Sequence, residues 1–229
     1  MRNFTLMILA AGFGMRMESL TKNIPKPLLK INNSTLLTNT INFFENLGCK
    51  KFIINTHFLH ENLKDYINLK HPKKNIYLIY EPQILDTGGG VKNSIKYFDA
   101  KNFLAVNADI YWDESNINDV NNFIDIIDQF ESYFLLLSDQ KNTFGIERSY
   151  GDFVIHNDYV RRWMEDDPVI FFSGLQILNP KIFENFESTK FSMNKIWDKL
   201  ILAKKLKARI MKSKLFHIGD IKTFNKIIP

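Results

Sequence analysis

Hydrophobic and polar positions along this chain follow two periods in turn. Residues 5–10 form a continuous, largely apolar run, as expected of a strand covered on both faces. Ser34 or Thr35 can cap a helix whose Leu37, Ile41 and Phe44 share a face, and Gly48 can end it. Strand-like stretches then cover 51–55, 75–80, 102–107 and 133–138, separated by helix-like stretches at 61–69, 90–97 and 116–130. This alternation predicts an α/β fold with a mostly parallel mixed sheet and helices on both faces. Ligands of such sheets bind beyond the carboxyl ends of the strands, which points to the loops after Ala10, Tyr80 and Asn107. After Ser138 the rhythm changes. Residues 151–155 and 159–164 flank Asn157-Asp158, the pattern of a hairpin. A strand at 169–178, helix-like stretches at 180–186 and 192–204, a strand at 206–211 and a short helix at 221–228 complete the reading. The hairpin reads as a small antiparallel insertion closing over one side of the site.

With 229 residues, 45% of them hydrophobic, the chain can bury a sizeable core as a single domain. The net charge is +5. Its basic residues are dispersed, and clusters such as Lys50-Lys51, Lys73-Lys74, Arg161-Arg162 and Lys204-Lys205 never reach a run of five. No polybasic arm is present, and nucleic acid is not an expected partner. A mild basic excess suits a polyanionic small substrate and also plain solubility. The single cysteine, Cys49, cannot close an internal disulfide and has no zinc-spaced neighbours, so a partly buried thiol in a reducing, cytoplasmic compartment is expected. No apolar stretch reaches transmembrane length, so no membrane partner is expected. Arg2 followed by residues 4–12 is similar to a short signal peptide. A buried first strand is the preferred reading, because the loop beyond it carries a longer pattern.

That loop reads Ala10-Ala11-Gly12-Phe13-Gly14-Met15-Arg16-Met17. Glycines let a backbone approach phosphate closely, and successive N–H groups form an anion nest. Met17 stands where a dinucleotide fingerprint needs its third glycine, and the Gly-Lys-Ser/Thr of a P-loop is missing. Asn55-Thr56-His57 also stands where a dinucleotide enzyme needs an acidic residue at the end of the second strand. Further on, Pro25 and Pro27 fix the chain on either side of Lys26, a rigidly placed cation suited to polyphosphate.

Gly-x-Gly-x-Arg-Met, then Leu20-Thr21, then Pro25-Lys26-Pro27-Leu28 resembles the signature of sugar-1-phosphate nucleotidyltransferases. Leu85 to Gly90 resembles that family's loop facing base and sugar, and Asn107-Ala108-Asp109 its Asn-Gly-Asp metal motif. The Thr-Gly-Gly-Gly run, Gly151-Asp152-Phe153, Phe172-Ser173-Gly174, the stretch 191–198 and the ending 216–219 are most similar to the N-acetylmuramate-1-phosphate uridylyltransferase branch. The resemblance covers essentially the whole chain and implies the nucleotide-diphospho-sugar transferase fold, Rossmann-like. About 1–115 would bind the NTP and about 116–229 the sugar, as a monomer or homodimer. With no β-helix acyltransferase domain following, a stand-alone form is expected.

The implied reaction joins a nucleoside monophosphate from an NTP, UTP in that branch, to a sugar 1-phosphate such as N-acetylmuramate 1-phosphate. It releases pyrophosphate and would serve cell-wall sugar recycling. Rival readings are a mannose- or heptose-1-phosphate guanylyltransferase and a non-catalytic nucleotide-binding regulator. Arg16, Lys26 and Asp109 are the expected catalytic residues, with Asp109 placing Mg²⁺. Ala10, Ala11, Gly12, Gly14, Arg16, Glu81 and Gly88 are expected to hold the nucleotide. Asn107, Gly151, Asp152 and Ser173 are expected on the sugar. Three consecutive glycines would let a flat ring lie on the backbone of 88–90. The chain departs from the family pattern in three places. Ala108 replaces glycine, His217 replaces a metal-binding aspartate, and the Glu-Lys-Pro motif is absent. His217 is therefore a secondary metal candidate, Asp220 is read as a helix cap, and Arg161 and Arg162 are candidates for the sugar phosphate.

Overall fold

The computed structural model describes residues 3–99, 101–128, 133–184, 186–187 and 189–227. Seven strands form the central sheet: β1 (Phe4–Leu9), β2 (Cys49–Thr56), β3 (Ile76–Tyr80), β4 (Phe103–Asn107), β5 (Phe134–Asp139), β6 (Ile170–Leu178) and β7 (Lys207–Met211). Their spatial order is β7-β5-β6-β4-β1-β2-β3. Every pairing is parallel except the two made by β6, which runs antiparallel to both β4 and β5. The expected mostly parallel mixed sheet is what forms. Strand β1 lies inside the sheet between β4 and β2, with Leu6, Met7 and Ile8 fully buried, so the apolar start is a core strand.

Alternation along the strands sends side chains to two cores. On one face Leu6, Ile8, Ile54 and Val106 meet α1 (Leu36–Asn46), α2 (His60–Lys70) and α4 (Ile117–Ile124) through Leu37, Ile41, Phe44, Leu63 and Phe123. On the other face Met7, Ile53 and Ala105 meet α3 (Asp86–Ser94) and α5 (Met193–Leu202) through Val91, Ile196 and Leu200. Each such burial contributes about 1.5–3 kcal/mol. The caps follow the sequence. Thr35 accepts the Thr38 N–H at 3.1 Å, and Asp220 accepts the Thr223 N–H at 2.8 Å ahead of α6 (Ile221–Ile227). Cys49 opens β2, buried, with its Sγ donating to the Lys51 carbonyl, and burial pushes its thiol up to about 12.

Several boundaries differ from the sequence pattern. The helix expected at 90–97 begins at Asp86 and takes the three glycines inside it. The stretch 116–130 is helical only over Ile117–Ile124, and residues 129–132 lie outside the described ones. In place of the helix expected at 180–186 there is a single tight turn, Pro180–Phe183, and residue 185 lies outside the described ones. The hairpin is present as Phe153–His156 and Tyr159–Arg162, turned by Asn157 and Asp158 at φ 48° and 66°. It packs on α5 through Phe153 and Trp197 and bonds to Leu206 through the Val160 N–H. None of its residues is among the described residues that line the cleft described next.

Candidate active site

The sheet's strand order reverses between β1 and β4, and a cleft of about 520 Å³ opens at their carboxyl ends. Its walls are the glycine loop 10–16, Lys26 and Pro27, Asn55, Glu81, the entry to α3, the segment 107–109, and Gly219. A topological switch point is where such sheets bind ligands.

The glycine loop is anchored at both ends. The Ala10 N–H donates to Asn55 Oδ1 at 3.0 Å. Gly14 takes φ 67°, its carbonyl accepts from the Met17 N–H and from Thr21 Oγ1 (3.0 Å), and Met17 is fully buried against Ile218 and Phe224. Between these anchors Gly12 is exposed, and a Cβ there would find nothing within 4 Å. Arg16 follows, exposed and lining the cleft, near enough to Asp220 to help hold that carboxyl low behind its hydrogen bonds to Thr223. Pro25 at φ −63° leads into the tight turn Lys26–Leu28, closed by the Leu28 N–H on Pro25 and the Leu29 N–H on Lys26, so Lys26 enters the cleft from a fixed backbone.

Lys26 Nζ meets Asp109 Oδ2 at 2.7 Å, and His217 Nε2 stands 3.4 Å from the same oxygen. Burial alone would raise the Asp109 carboxyl. Lys26 and His217 outweigh it and hold the group well below the usual carboxylate range. Burial alone would likewise lower His217, but Asp109 beside it raises it on balance. His217 Nδ1 lies 3.3 Å from the Gly145 carbonyl, so both ring nitrogens face acceptors. An Nδ1–H on that carbonyl leaves the Nε2 lone pair toward Asp109, an arrangement compatible with a cation held between the two side chains. Asp109 Oδ1 is enclosed and has no hydrogen-bond partner among the described residues. An oxygen of this kind fits a hard divalent cation. No group of three or more His, Cys, Asp or Glu converges among the described residues, and Asp109 is the carboxylate beside Lys26. Ala108 is free of backbone strain: its φ is negative, and its N–H continues the ladder to the Leu9 carbonyl at 3.2 Å.

The structure brings together Ala10, Ala11, Gly12, Gly14, Arg16, Lys26, Glu81, Asn107 and Asp109 around the cleft. It separates others from it. A Cβ on Gly88 would lie 2.5 Å from the Phe191 ring, on Gly89 2.3 Å from the Thr189 carbonyl oxygen, and on Gly90 2.6 Å from Asn55 Nδ2. The side of the glycine run on which a Cβ would project is packed against protein, and Gly88 is not among the residues lining the cleft. Gly151 abuts Trp163 and Ile170. Asp152 holds Arg148 at 2.6 Å and accepts the Phe172 N–H at 3.0 Å. Ser173 is buried at the irregular stretch of β6, its Oγ accepting from the Leu175 N–H at 3.3 Å. These three serve the framework rather than the cleft lining. Arg161 is paired two-pronged with Asp167 (2.5 and 2.6 Å), and Arg162 with Asp198 (2.7 Å) and Asn194 (2.9 Å). Neither arginine is free for a sugar phosphate. Asp86 and Thr87, within the segment read as facing base and sugar, line the cleft, and so does Asn55, which the sequence reading did not name as a site residue. A polar Asn55 directly after the apolar Phe52-Ile53-Ile54 was the available signal.

Comparison with known proteins agrees with this geometry. Residues 5–215 match the family model described as nucleotidyl transferase. Over 106 residues the chain is 29% identical to D-glycero-alpha-D-manno-heptose 1-phosphate guanylyltransferase of Campylobacter jejuni, a match spanning 46% of this chain and 48% of that relative. Over 221 residues it is 22% identical to N-acetylmuramate alpha-1-phosphate uridylyltransferase of Caulobacter vibrioides, spanning 93% and 91%. Among solved structures it is similar to HddC from Yersinia pseudotuberculosis complexed with GMP-PN, with a TM-score of 0.79, 26% identity, and 98% and 97% of the two chains covered. No helix among the described residues is long and apolar enough to cross a membrane. With the family match running through β1 to the start of the segment that carries His217, and with the cleft at the sheet's switch point, the chain belongs to the nucleotidyl transferase family.

Proposed function

We propose that this nucleotidyltransferase moves a nucleoside monophosphate from UTP to N-acetylmuramate 1-phosphate and releases pyrophosphate. The carrying observation is the Lys26–Asp109 pair on the floor of a cleft rimmed by the glycine loop. The attacking phosphate oxygen is already an anion at neutral pH, so the site needs no general base. Its bond to the α-phosphorus forms as the bond to the β-phosphate bridge breaks. Backbone amides at Gly12 to Gly14 and the Arg16 guanidinium meet the departing β- and γ-phosphates, and Lys26 meets the α-phosphate or the sugar phosphate. Asp109 Oδ1 would hold Mg²⁺, which would supply charge neutralisation on the triphosphate. The chain's own part is to hold the reacting groups in line in a fixed frame. Asn107, beside Asp109, is the sugar contact that the cleft retains.

Lys26→Ala and Asp109→Ala test this. Each is expected to lower turnover in a pyrophosphate-release assay by roughly 10²–10³-fold with the far-UV spectrum unchanged. Near-normal turnover in either removes that residue from the scheme. A guanylyl transfer to a heptose or mannose 1-phosphate is the second reading. The whole-chain likeness to HddC, solved with GMP-PN, and the likeness over 106 residues to a heptose 1-phosphate guanylyltransferase support it. Pyrophosphate release measured with each NTP and each sugar phosphate separates the two.

A further inference from the structure

Three cleft-forming segments meet on one buried side chain. Asn55 is 3% exposed at the carboxyl end of β2. Its Oδ1 accepts the Ala10 N–H at 3.0 Å, which fixes the first residue of the glycine loop. Its Nδ2 donates to Glu81 Oε1 at 2.8 Å. The second Glu81 oxygen accepts the Leu85 N–H at 3.0 Å, at the entry to α3, and His57 Nδ1 lies 2.7 Å from the Glu81 carbonyl. Gly90 presses on the pair from a third side, since a Cβ there would lie 2.6 Å from Asn55 Nδ2 and 2.9 Å from Glu81 Oε1. An apolar side chain would fill this space equally well for packing. An amide offers one acceptor and one donor at opposite edges, and here each edge serves a different wall of the cleft.

We propose that Asn55 is a positioning residue for the nucleotide. It sets the spacing between the loop that meets the phosphates and the Glu81 carboxylate on the opposite wall. Through that spacing it governs nucleotide affinity, while the bond-forming step at Lys26 and Asp109 is left intact. The proposal rests on reading the cleft as an NTP site.

Asn55→Asp keeps the acceptor for Ala10 but sets two carboxyl groups against each other, and such a pair shares one proton. Lowering the pH restores a donor between them. Asn55→Leu removes both edges at similar volume, and Gly90→Ala displaces the same pair from the far side. The other titratable groups of these segments, His57 and Asp86, are present in every variant, so the unaltered chain is the reference profile. Steady-state kinetics with UTP and GTP are measured across the neutral pH range, with calorimetric nucleotide binding and thermal unfolding alongside. Asn55→Asp is expected to raise nucleotide KM roughly ten- to a hundredfold with kcat retained. The defect should shrink as pH falls, for whichever of the two nucleotides the chain uses. Asn55→Leu should show the KM rise without recovery at low pH, and Gly90→Ala the KM rise alone. If Asn55→Leu fails to fold, the other two variants carry the test. Wild-type KM in Asn55→Asp and Gly90→Ala, or a loss confined to kcat, overturns the proposal alone. A failure of the unaltered chain to bind either nucleotide overturns the reading of the cleft, and this proposal with it.

Discussion

Gly89→Ala separates two accounts of the glycine run. In the structure a Cβ at Gly89 lies 2.3 Å from the Thr189 carbonyl oxygen and 3.0 Å from the Leu85 Cβ, where ordinary contact begins near 3.4 Å, so backbone must move by about 1 Å. That movement strains two hydrogen bonds that stitch α3 to the 189–191 segment, Gly89 N–H to Phe191 carbonyl (2.9 Å) and Phe191 N–H to Leu85 carbonyl (3.0 Å). Overpacking costs about 1–3 kcal/mol, weakened hydrogen bonds about 1 kcal/mol more, and the better helix propensity of alanine returns about 1 kcal/mol. The net destabilisation of roughly 2 kcal/mol corresponds to a Tm lower by about 4–8 °C. Gly12→Ala is the opposite case. Its methyl group enters open cleft, so stability should stay within about 0.5 kcal/mol while nucleotide binding weakens. Thermal unfolding and calorimetric nucleotide binding of both variants give the comparison. A Gly89→Ala protein with wild-type Tm and lost nucleotide affinity would show that the run faces ligand and that the packing argument is wrong.

Chelation of divalent cations should abolish pyrophosphate release, with Mg²⁺ restoring it, and Asp109→Asn should require much more Mg²⁺ for the same rate; turnover unaffected by chelator would remove the cation from the scheme. Burial, reinforced by Lys74, holds His71 below its ordinary value of 6.5. The unfolded chain then takes up a proton that the folded chain resists, so His71 makes stability fall as pH drops below about 6.5, and urea titrations should show a flatter pH dependence in His71→Asn than in the unaltered chain. A parallel pH dependence in both proteins would contradict that. The Cys49 thiol, pushed up to about 12 by burial, should resist iodoacetamide at pH values near 8 in the folded chain and react on unfolding; rapid native labelling would contradict its enclosure.

Much of the fold was legible because apolar runs and caps are local signals. The run at 5–10, the polar–apolar face of Leu37, Ile41 and Phe44, and the Asn157-Asp158 turn each encode their element without help from distant residues. Lys26 and Asp109 were legible for a related reason. Prolines fix the approach of one, and the other follows an apolar strand, so local chain geometry alone delivers both to the sheet's carboxyl end. The glycine run, Gly151, Asp152, Ser173 and the two arginines were not. A glycine reads the same whether a ligand or a Phe191 ring fills the space beside it, and an arginine reads the same whether its carboxylate is Asp167 or a substrate. Local sequence determined the sheet, the glycine turn and the lysine and carboxylate near it. Tertiary packing decided which small and charged residues face the cleft, because that depends on partners distant along the chain, as when α3 meets Phe191 and when Asn55 joins Ala10 to Glu81.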